Sequence, residues 1–374
     1  MNQKPTVRVL ICTGHTGGHF FPAVSCAETF ESEHPEVEVH ILVNRISPLA
    51  EHLIKERSLR VHLIGFSSFP TFFSFKMIPF LLEYVAAFWK TLSLLLKIKP
   101  KLVIGFGSYG SIPGILCAAF YRIPILLHEQ NALAGRANQF LALWADRIAV
   151  SFPETRASFA QEKVFWSGYP LRSSFWGGIN QFPNEQLPSR SFTILVFGGS
   201  QGARRLNQVF LKSLEALKAE ERTNLAVIHI VGNNDTQGIK ETYQKLGIEA
   251  DVSNFSYRIS EQYKRADLVI ARAGAGTIFE LAALRRAAIL IPYPHAYAHQ
   301  KANAEYLVRR GSAQAIEDGE LTDVVLRDTI IQLKNNVRQR EELGENIQRL
   351  AKREAGQLLT GAGWELICEK NSYV

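Results

Sequence analysis

The sequence predicts an α/β chain made of two similar parallel-sheet domains that face a shared ligand. Three observations carry this prediction. At 374 residues the chain exceeds the roughly 100–200 residues of a single domain. Each half opens with the same unit: a β-branched run, a glycine-rich loop and a helix-compatible run. The first is Val7–Thr13 with Gly14, Gly17 and Gly18; the second is Thr193–Phe197 with Gly198, Gly199 and Gly202. After each unit, short apolar runs alternate with helical stretches, the rhythm of parallel strands covered by helices on both faces.

Composition narrows the partners. Lysine and arginine number 42 against 35 acids, a net charge of +7. The excess favours an anionic partner. It is mild and dispersed, and no RRM, zinc-finger or helix-turn-helix signature accompanies it, so no nucleic acid is expected. Cys12, Cys26, Cys117 and Cys368 lie far apart in apolar surroundings, without C-x-x-C spacing. They are expected to be buried free thiols in a reducing compartment. The N-terminus runs into the first strand without a signal-peptide pattern, which points to the cytosol or the cytosolic side of a membrane.

The first loop reads Thr13-Gly14-His15-Thr16-Gly17-Gly18-His19, with a helix expected from Pro22 to Phe30. A strand end, glycines and a helix start aim backbone N–H groups and a positive helix end at an anion. An imidazole there serves as a general base or a phosphate donor. The alternative is an ordinary βα turn with incidental histidines. A strand at Val37–Val43, a basic helix at Leu49–Arg57 and a strand at Leu59–Ile64 follow.

Then the chain changes character. Seven phenylalanines lie between Phe66 and Phe88, and the apolar run continues to Leu96 and Ile98. A helix over Met77–Leu96 reaches about 30 Å, enough to span a bilayer. Its ten Leu, Ile, Phe and Val residues give about −5 kcal/mol, against about +5 to +7 kcal/mol for Glu83 and Lys90. That balance disfavours a spanning helix. Lys76, Lys90, Lys97, Lys99 and Lys101 around the apolar stripe fit adsorption to an anionic membrane surface instead. The alternative is a helix buried on the sheet with its lysine heads snorkelling.

Lys101–Ile104 reads as a strand and leads into Gly105-Phe106-Gly107-Ser108-Tyr109-Gly110, a literal G-x-G-x-x-G. The strand Ile123–His128 ends in Glu129, 24 residues past Gly105, near where a dinucleotide site places its ribose acid. Two facts weigh against that reading. The fingerprint falls deep in the domain, and Glu129 is embedded in His128-Glu129-Gln130-Asn131. Such polar clusters at strand C-terminal ends face the ligand crevice of open α/β sheets. Asp146–Val150 is expected as the last strand of this domain, with the boundary near Arg172.

The second half repeats the alternation. Arg204 to Leu217 reads as a helix, Ala226–Val231 as a strand, Asp251–Phe255 as a short strand and Ile259–Arg265 as a small helix. The strand Asp267–Ala271 leads into Arg272-Ala273-Gly274-Ala275-Gly276-Thr277 and a helix carrying Glu280. Glu280 is either the capping-box partner of an N-cap Thr277 or a carboxylate that accepts both hydroxyls of a ribose. Ala288–Ile291 is a strand ending in Pro292-Tyr293-Pro294-His295, and His299-Gln300-Lys301-Ala302-Asn303 opens another helix. From Asp323 the chain is helical and charged, with an apolar patch at Trp364–Ile367.

Six stretches now stand in order on the expected elements: Thr16-Gly17-Gly18-His19 with Pro22-Ala23; Gly107-Ser108-Tyr109; His128-Glu129-Gln130-Asn131; Gly198-Gly199-Ser200-Gln201-Gly202-Ala203; Arg272-Ala273-Gly274-Ala275 with Thr277 and Glu280; and His299-Gln300 with Asn303. Together they resemble the MurG family, the peptidoglycan N-acetylglucosaminyltransferases, over nearly the whole chain. The resemblance implies a GT-B glycosyltransferase fold: two Rossmann-like domains with a cleft between them. Residues 1–172 would be the acceptor-side, membrane-associated domain and 173–350 the UDP-GlcNAc-binding domain. Residues 351–374 would be a helix returning to the first domain.

It also implies inverting transfer of GlcNAc from UDP-GlcNAc to the MurNAc 4-hydroxyl of undecaprenyl-diphosphate-MurNAc-peptide (lipid I), giving lipid II for peptidoglycan. The place would be the cytoplasmic face of the bacterial plasma membrane, with other cell-wall synthesis proteins as further partners. By motif, Ser200, Gln201, Ser256, Ala275, Gly276, Thr277, Glu280 and Gln300 belong to the donor, with Glu280 on the ribose. Arg172 matches the family's hinge arginine. Asn131 reaches the donor sugar, and Thr16, Gly17 and Gly18 meet the acceptor's diphosphate. The catalytic set is His19, Glu129 and Tyr109. His19 is the first choice as base and Glu129 the second, with a base–orienter pair also open. No Asp-x-Asp stands in a site context, so neither metal nor cofactor is called for.

Three departures from the family pattern are visible: His15 in place of a common glycine, Arg286-Ala287 in place of a Gly-Leu-Pro-type turn, and no acid within His295–His299. The competing functions are another UDP-sugar enzyme of this fold (an epimerase or transferase), a dinucleotide-dependent oxidoreductase using Gly105–Gly110 and Glu129, and a non-catalytic UDP-sugar binder.

Overall fold

The structure, a computed structural model, describes residues 7–67, 77–176, 191–198, 203–294 and 298–371. The chain divides into two compact units, Met1–Arg172 with Lys352–Val374, and Ser173–Ala351. Each is an α/β layer structure built on one parallel sheet.

The first sheet holds β1 (Val7–Thr13), β2 (Val37–Val43), β3 (Arg60–Leu63), β4 (Leu102–Gly105), β5 (Ile125–Glu129), β6 (Arg147–Val150) and β7 (Val164–Trp166). Their order is β3-β2-β1-β4-β5-β6-β7, parallel throughout. The central strands are apolar without alternation because both faces are covered. Val9 and Ile11 of β1 face one way, into a core with Phe20, Phe30 and Leu359. Leu10 and Cys12 face the other, into a core with Val103, Ile115 and Leu127. Each such side chain contributes about 1.5–3 kcal/mol by leaving water. Gly114 makes the second contact possible, because a Cβ there would lie 2.2 Å from Cys12 Sγ.

The helix Ala355–Asn371 completes this unit. Its Leu359, Leu366 and Ile367 join the first core, and Trp364 stacks on His34 with ring centroids 4.0 Å apart. Thr360 donates to Glu33 at 2.8 Å. The apolar patch at Trp364–Ile367 is therefore the seam of this helix. The charged, helical stretch from Asp323 consists of three helices, the other two being Asp323–Asn335 and Val337–Gln348 in the second unit.

The helix Met77–Ile98 is long and apolar enough to cross a membrane. Phe80, Ala87, Thr91, Leu95 and Ile98 form a buried stripe against the unit. The opposite face is also apolar: Ile78, Leu81, Leu82, Val85 and Trp89 are all exposed. Of the phenylalanines that precede Met77, Phe66 is buried against Phe80 and Tyr84, whereas Phe69, Phe72, Phe73 and Phe75, with Lys76, fall within residues 68–76, outside the described residues.

The second sheet holds β8 (Phe192–Phe197), β9 (Leu225–Ile230), β10 (Glu249–Ser253), β11 (Leu268–Ala271), β12 (Ala288–Leu290) and β13 (Gln314–Ala315). Their order is β10-β9-β8-β11-β12-β13, again parallel. Ile194, Val196, Leu268 and Ile270 form its core with Leu206, Phe210 and Leu214 of the helix Arg204–Glu215.

Four expectations need correction. The first helix starts at Gly17 rather than Pro22, so Pro22 lies inside it. β6 is followed by a further strand, β7, whose three residues are too few to show a period. Thr277 is not an N-cap: Gly274 is, with a β-region backbone, and Glu280 stands beyond the first turn, which excludes the capping box. Cys368 is exposed, whereas the other three cysteines are buried.

Candidate active site

In the first unit the motif residues gather at the C-terminal ends of the strands. After β1, Thr16 takes an extended backbone as N-cap of the helix Gly17–Glu33. Gly17 and Gly18 form its first turn, where N–H groups have no carbonyl of their own helix to bond. The loop after β4 lies against this one. A Cβ on Gly14 would stand 2.6 Å from Ser108, and one on Gly110 would stand 2.8 Å from the Thr13 carbonyl oxygen. Gly107 and Ser108 both have positive φ, +75° and +67°. Of the glycines of the G-x-G-x-x-G, Gly110 thus serves close packing of two neighbouring loops, Gly105 makes room for Leu127 and Ile115 in the core, and Gly107 supplies a positive φ beside Asn138. Tyr109 follows, partly exposed, with its carbonyl accepting from Tyr84 Oη at 3.4 Å.

His19 is oriented by this neighbour loop. Its Nδ1 lies 2.8 Å from the carbonyl oxygen of Phe106. A carbonyl only accepts, so Nδ1 carries the proton and, in the neutral ring, Nε2 carries the lone pair.

Glu129 is 2 % exposed at the end of β5. Oε1 accepts from the backbone N–H of Asn131 at 3.0 Å and from Asn131 Nδ2 at 3.2 Å. Oε2 accepts from the Gly135 N–H at 3.0 Å and from Asn138 Nδ2 at 2.8 Å. Four donors on one carboxylate fold the 129–138 loop around it. The same bonds place Asn131, whose carbonyl accepts from Thr155 at 3.0 Å. A dinucleotide ribose would have to displace these donors.

His128 is fully buried between Phe106 and Tyr169. Burial pushes its pKa down to about 4, so the ring is neutral at pH 7. Its Nδ1 accepts from Gln130 Nε2 at 3.2 Å, and its Nε2 donates to the Gly168 carbonyl at 3.2 Å. Arg172, the last residue of the unit's first segment, places its guanidinium 5.0 Å from the centroid of the Phe21 ring.

In the second unit the motif residues again follow strand ends. Ser256, after β10, accepts from the Arg258 N–H at 3.2 Å and holds a tight turn. Ala275, Gly276 and Thr277 are the first turn of the helix Ala275–Ala283. The loop before it is pinned by Arg272, which donates to the Ile291 and Pro292 carbonyls and pairs with Asp318 at 2.6 Å, and by Asn303, which donates to the Ala273 carbonyl at 3.1 Å. Glu280 Oε2 accepts from Tyr263 Oη at 3.0 Å. Tyr263 is fully buried, with edge contacts to Phe175 and Phe197. Gln300, in the first turn of the helix His299–Val308, accepts from the Tyr293 N–H at 2.9 Å. Ser200 and Gln201 lie outside the described residues.

Two family models match. The glycosyltransferase family 28 N-terminal domain covers residues 9–150, and its C-terminal domain covers 193–359. A UDP-N-acetylglucosamine–N-acetylmuramyl-(pentapeptide) pyrophosphoryl-undecaprenol N-acetylglucosamine transferase of Geobacter metallireducens is 35% identical over 354 residues, 94% of this chain and 97% of that protein. The crystal structure of Acinetobacter baumannii MurG superposes with a TM-score of 0.75 at 25% identity, covering 96% of this chain and 99% of that one.

The chain belongs to the MurG family.

It is accordingly a UDP-GlcNAc-dependent glycosyltransferase of GT-B fold. A putative UDP-N-acetylglucosamine 2-epimerase from Listeria monocytogenes shares that fold, with a TM-score of 0.68 at 11% identity and 96% of each chain covered. At that identity the likeness concerns the fold alone. MurG membership displaces the oxidoreductase reading, and the saturated Glu129 carboxylate explains structurally why the G-x-G-x-x-G is a false signal here. Sequence reasoning missed Gln130 and His128 as a connected pair and missed Tyr263 entirely. A lone aromatic in a short helix, 17 residues before the carboxylate it bonds, leaves no local pattern.

Proposed function

We infer that the chain transfers GlcNAc from UDP-GlcNAc to the 4-hydroxyl of MurNAc in lipid I, with inversion at the sugar carbon, and so makes lipid II. The observation that carries this reading is the relationship to the Geobacter metallireducens transferase across 94% of the chain.

His19 is the general base. The acceptor hydroxyl gives its proton to Nε2, the new bond forms from that oxygen to C1 of GlcNAc, and the C1–O bond to the diphosphate breaks, releasing UDP. The imidazolium formed is held through Nδ1 by the Phe106 carbonyl. The first-turn amides at Gly17 and Gly18 meet the acceptor's diphosphate, where a helix N-terminus favours negative charge. Glu129 shapes the loop that carries Asn131, which supports giving the proton to His19 rather than to this carboxylate. Tyr109 lies beside His19's loop. In the second unit Glu280 takes the ribose diol, and Ser256, Ala275, Gly276, Thr277 and Gln300 line the nucleotide and sugar.

The acceptor's lipid gives the outer face of the helix Met77–Ile98 a purpose. Leu81, Leu82, Val85 and Trp89 beside Lys90 and Lys97 suit an anionic membrane surface on the cytoplasmic side. Trp89→Ser with Leu82→Ser should abolish sedimentation with phosphatidylglycerol vesicles while leaving UDP-GlcNAc affinity intact; unchanged sedimentation overturns this part.

The direct test is transfer of radiolabelled GlcNAc from UDP-GlcNAc to a short-chain lipid I analogue with detergent and EDTA present. Labelled lipid-linked disaccharide supports donor, acceptor and metal independence together. UDP-GlcNAc binding without product would keep the donor and remove the acceptor.

A further inference from the structure

The Phe106 carbonyl accepts two hydrogen bonds. One comes from His19 Nδ1 at 2.8 Å and the other from Gln130 Nε2 at 3.0 Å. The Gln130 amide is in turn placed by His128, whose Nδ1 and backbone carbonyl both lie 3.2 Å from Gln130 Nε2. Both Gln130 and His128 are buried, and among the described residues no group donates to Gln130 Oε1. All three acceptors lie on the nitrogen side, which fixes the amide's orientation. His128 is anchored from β5 to the Gly168 carbonyl and to Ser151 Oγ, at 3.2 Å and 3.3 Å.

The carbonyl needs this bracing. It belongs to the peptide that joins Phe106 to Gly107, and Gly107 has a φ of +75°. A peptide bordered by glycine rotates with little steric resistance. On its other side the Phe106 N–H is tied to the Cys12 carbonyl at 2.9 Å, which anchors the preceding peptide and not the one that carries this carbonyl. Turning the carbonyl away would take from His19 Nδ1 the acceptor at 2.8 Å and favour the ring's other tautomer, in which Nε2 carries the proton and cannot take one.

We propose that Gln130 is a positioning residue for glycosyl transfer: by holding the Phe106 carbonyl it fixes the tautomer and orientation of His19. The proposal rests on the reading of His19 as base, and its test separates the two. Long-range proton–nitrogen spectra of histidine-labelled protein report each ring's tautomer, with His19→Gln identifying the His19 signals. Wild-type His19 should show a protonated Nδ1 at pH 8. A protonated Nε2 instead overturns the proposal without any variant.

Gln130→Met keeps the length of the side chain and removes both donors. Gln130→Asn, a milder change, keeps the amide and draws it back by one methylene. In either variant His19 should become a mixture of tautomers, kcat should fall tenfold or more, and KM for UDP-GlcNAc should stay within twofold. An unchanged tautomer in both variants overturns the proposal. A mixed tautomer with unchanged kcat upholds Gln130's hold on the ring and removes His19 from the base role.

Discussion

The phenol of Tyr169 donates to the backbone carbonyl of Gly18 at 3.4 Å. That carbonyl needs an outside donor, because its partner four residues on is Pro22, which has no N–H. A proline one turn into the first helix therefore opens a backbone acceptor at the Gly17–Gly18 turn, and a buried tyrosine after β7 closes it. The helix keeps its course through the glycine pair, and His19 follows directly.

Tyr169→Phe should cost about 0.5–1.5 kcal/mol of stability, the net value of one intramolecular hydrogen bond. Pro22→Ala restores the helical donor, so the same tyrosine change should cost less in that background. Urea unfolding of both single variants and the double variant closes the cycle. Additive costs would contradict the assignment of this bond to the proline gap.

Stability should fall as pH drops below about 6.5. His128 and His229 are both buried, and burial pushes them down to about 4 and about 3. In the unfolded chain both titrate near 6.5, so below that pH the unfolded state binds more protons. Each histidine then removes about 1.4 kcal/mol per pH unit until its folded pKa is reached. Urea unfolding between pH 6.5 and pH 5 should show this slope, before carboxylates contribute. A flat profile there would contradict the burial of neutral rings.

Tyr263→Phe should weaken UDP-GlcNAc binding by about threefold to tenfold through the loss of one hydrogen bond to the Glu280 carboxylate. Turnover at saturating donor should change less than twofold. Calorimetric titration with UDP-GlcNAc reads the first and steady-state kinetics the second. Unchanged affinity would contradict the proposed role of Glu280 at the donor's ribose.

What was legible in the sequence follows from how local each signal is. The first glycine loop sits on the strand end where its composition puts it, because strand, loop and helix are contiguous in sequence, and β8 and the helix Arg204–Glu215 stand where the second unit's pattern puts them. The buried strands show as apolar runs, and the lysine-flanked helix Met77–Ile98 shows as an apolar stripe. The helix start at Gly17 was hidden by two helix-poor glycines and a proline, whose costs are met by tertiary bonds such as that from Tyr169. Glu129 looked like a ribose acid by spacing alone; its four donors come from a loop whose folding no spacing announces. Gln130 and Phe106 are 24 residues apart, and their contact exists only because β4 and β5 are neighbours.

The measurement that tests the central claim most directly is single-turnover transfer of labelled GlcNAc to a lipid I analogue by His19→Ala, beside its UDP-GlcNAc dissociation constant. With His19 as base, the transfer rate should fall by about a hundredfold to ten-thousandfold while donor affinity stays within twofold. Wild-type transfer rates in that variant, or a loss confined to donor binding, would contradict it.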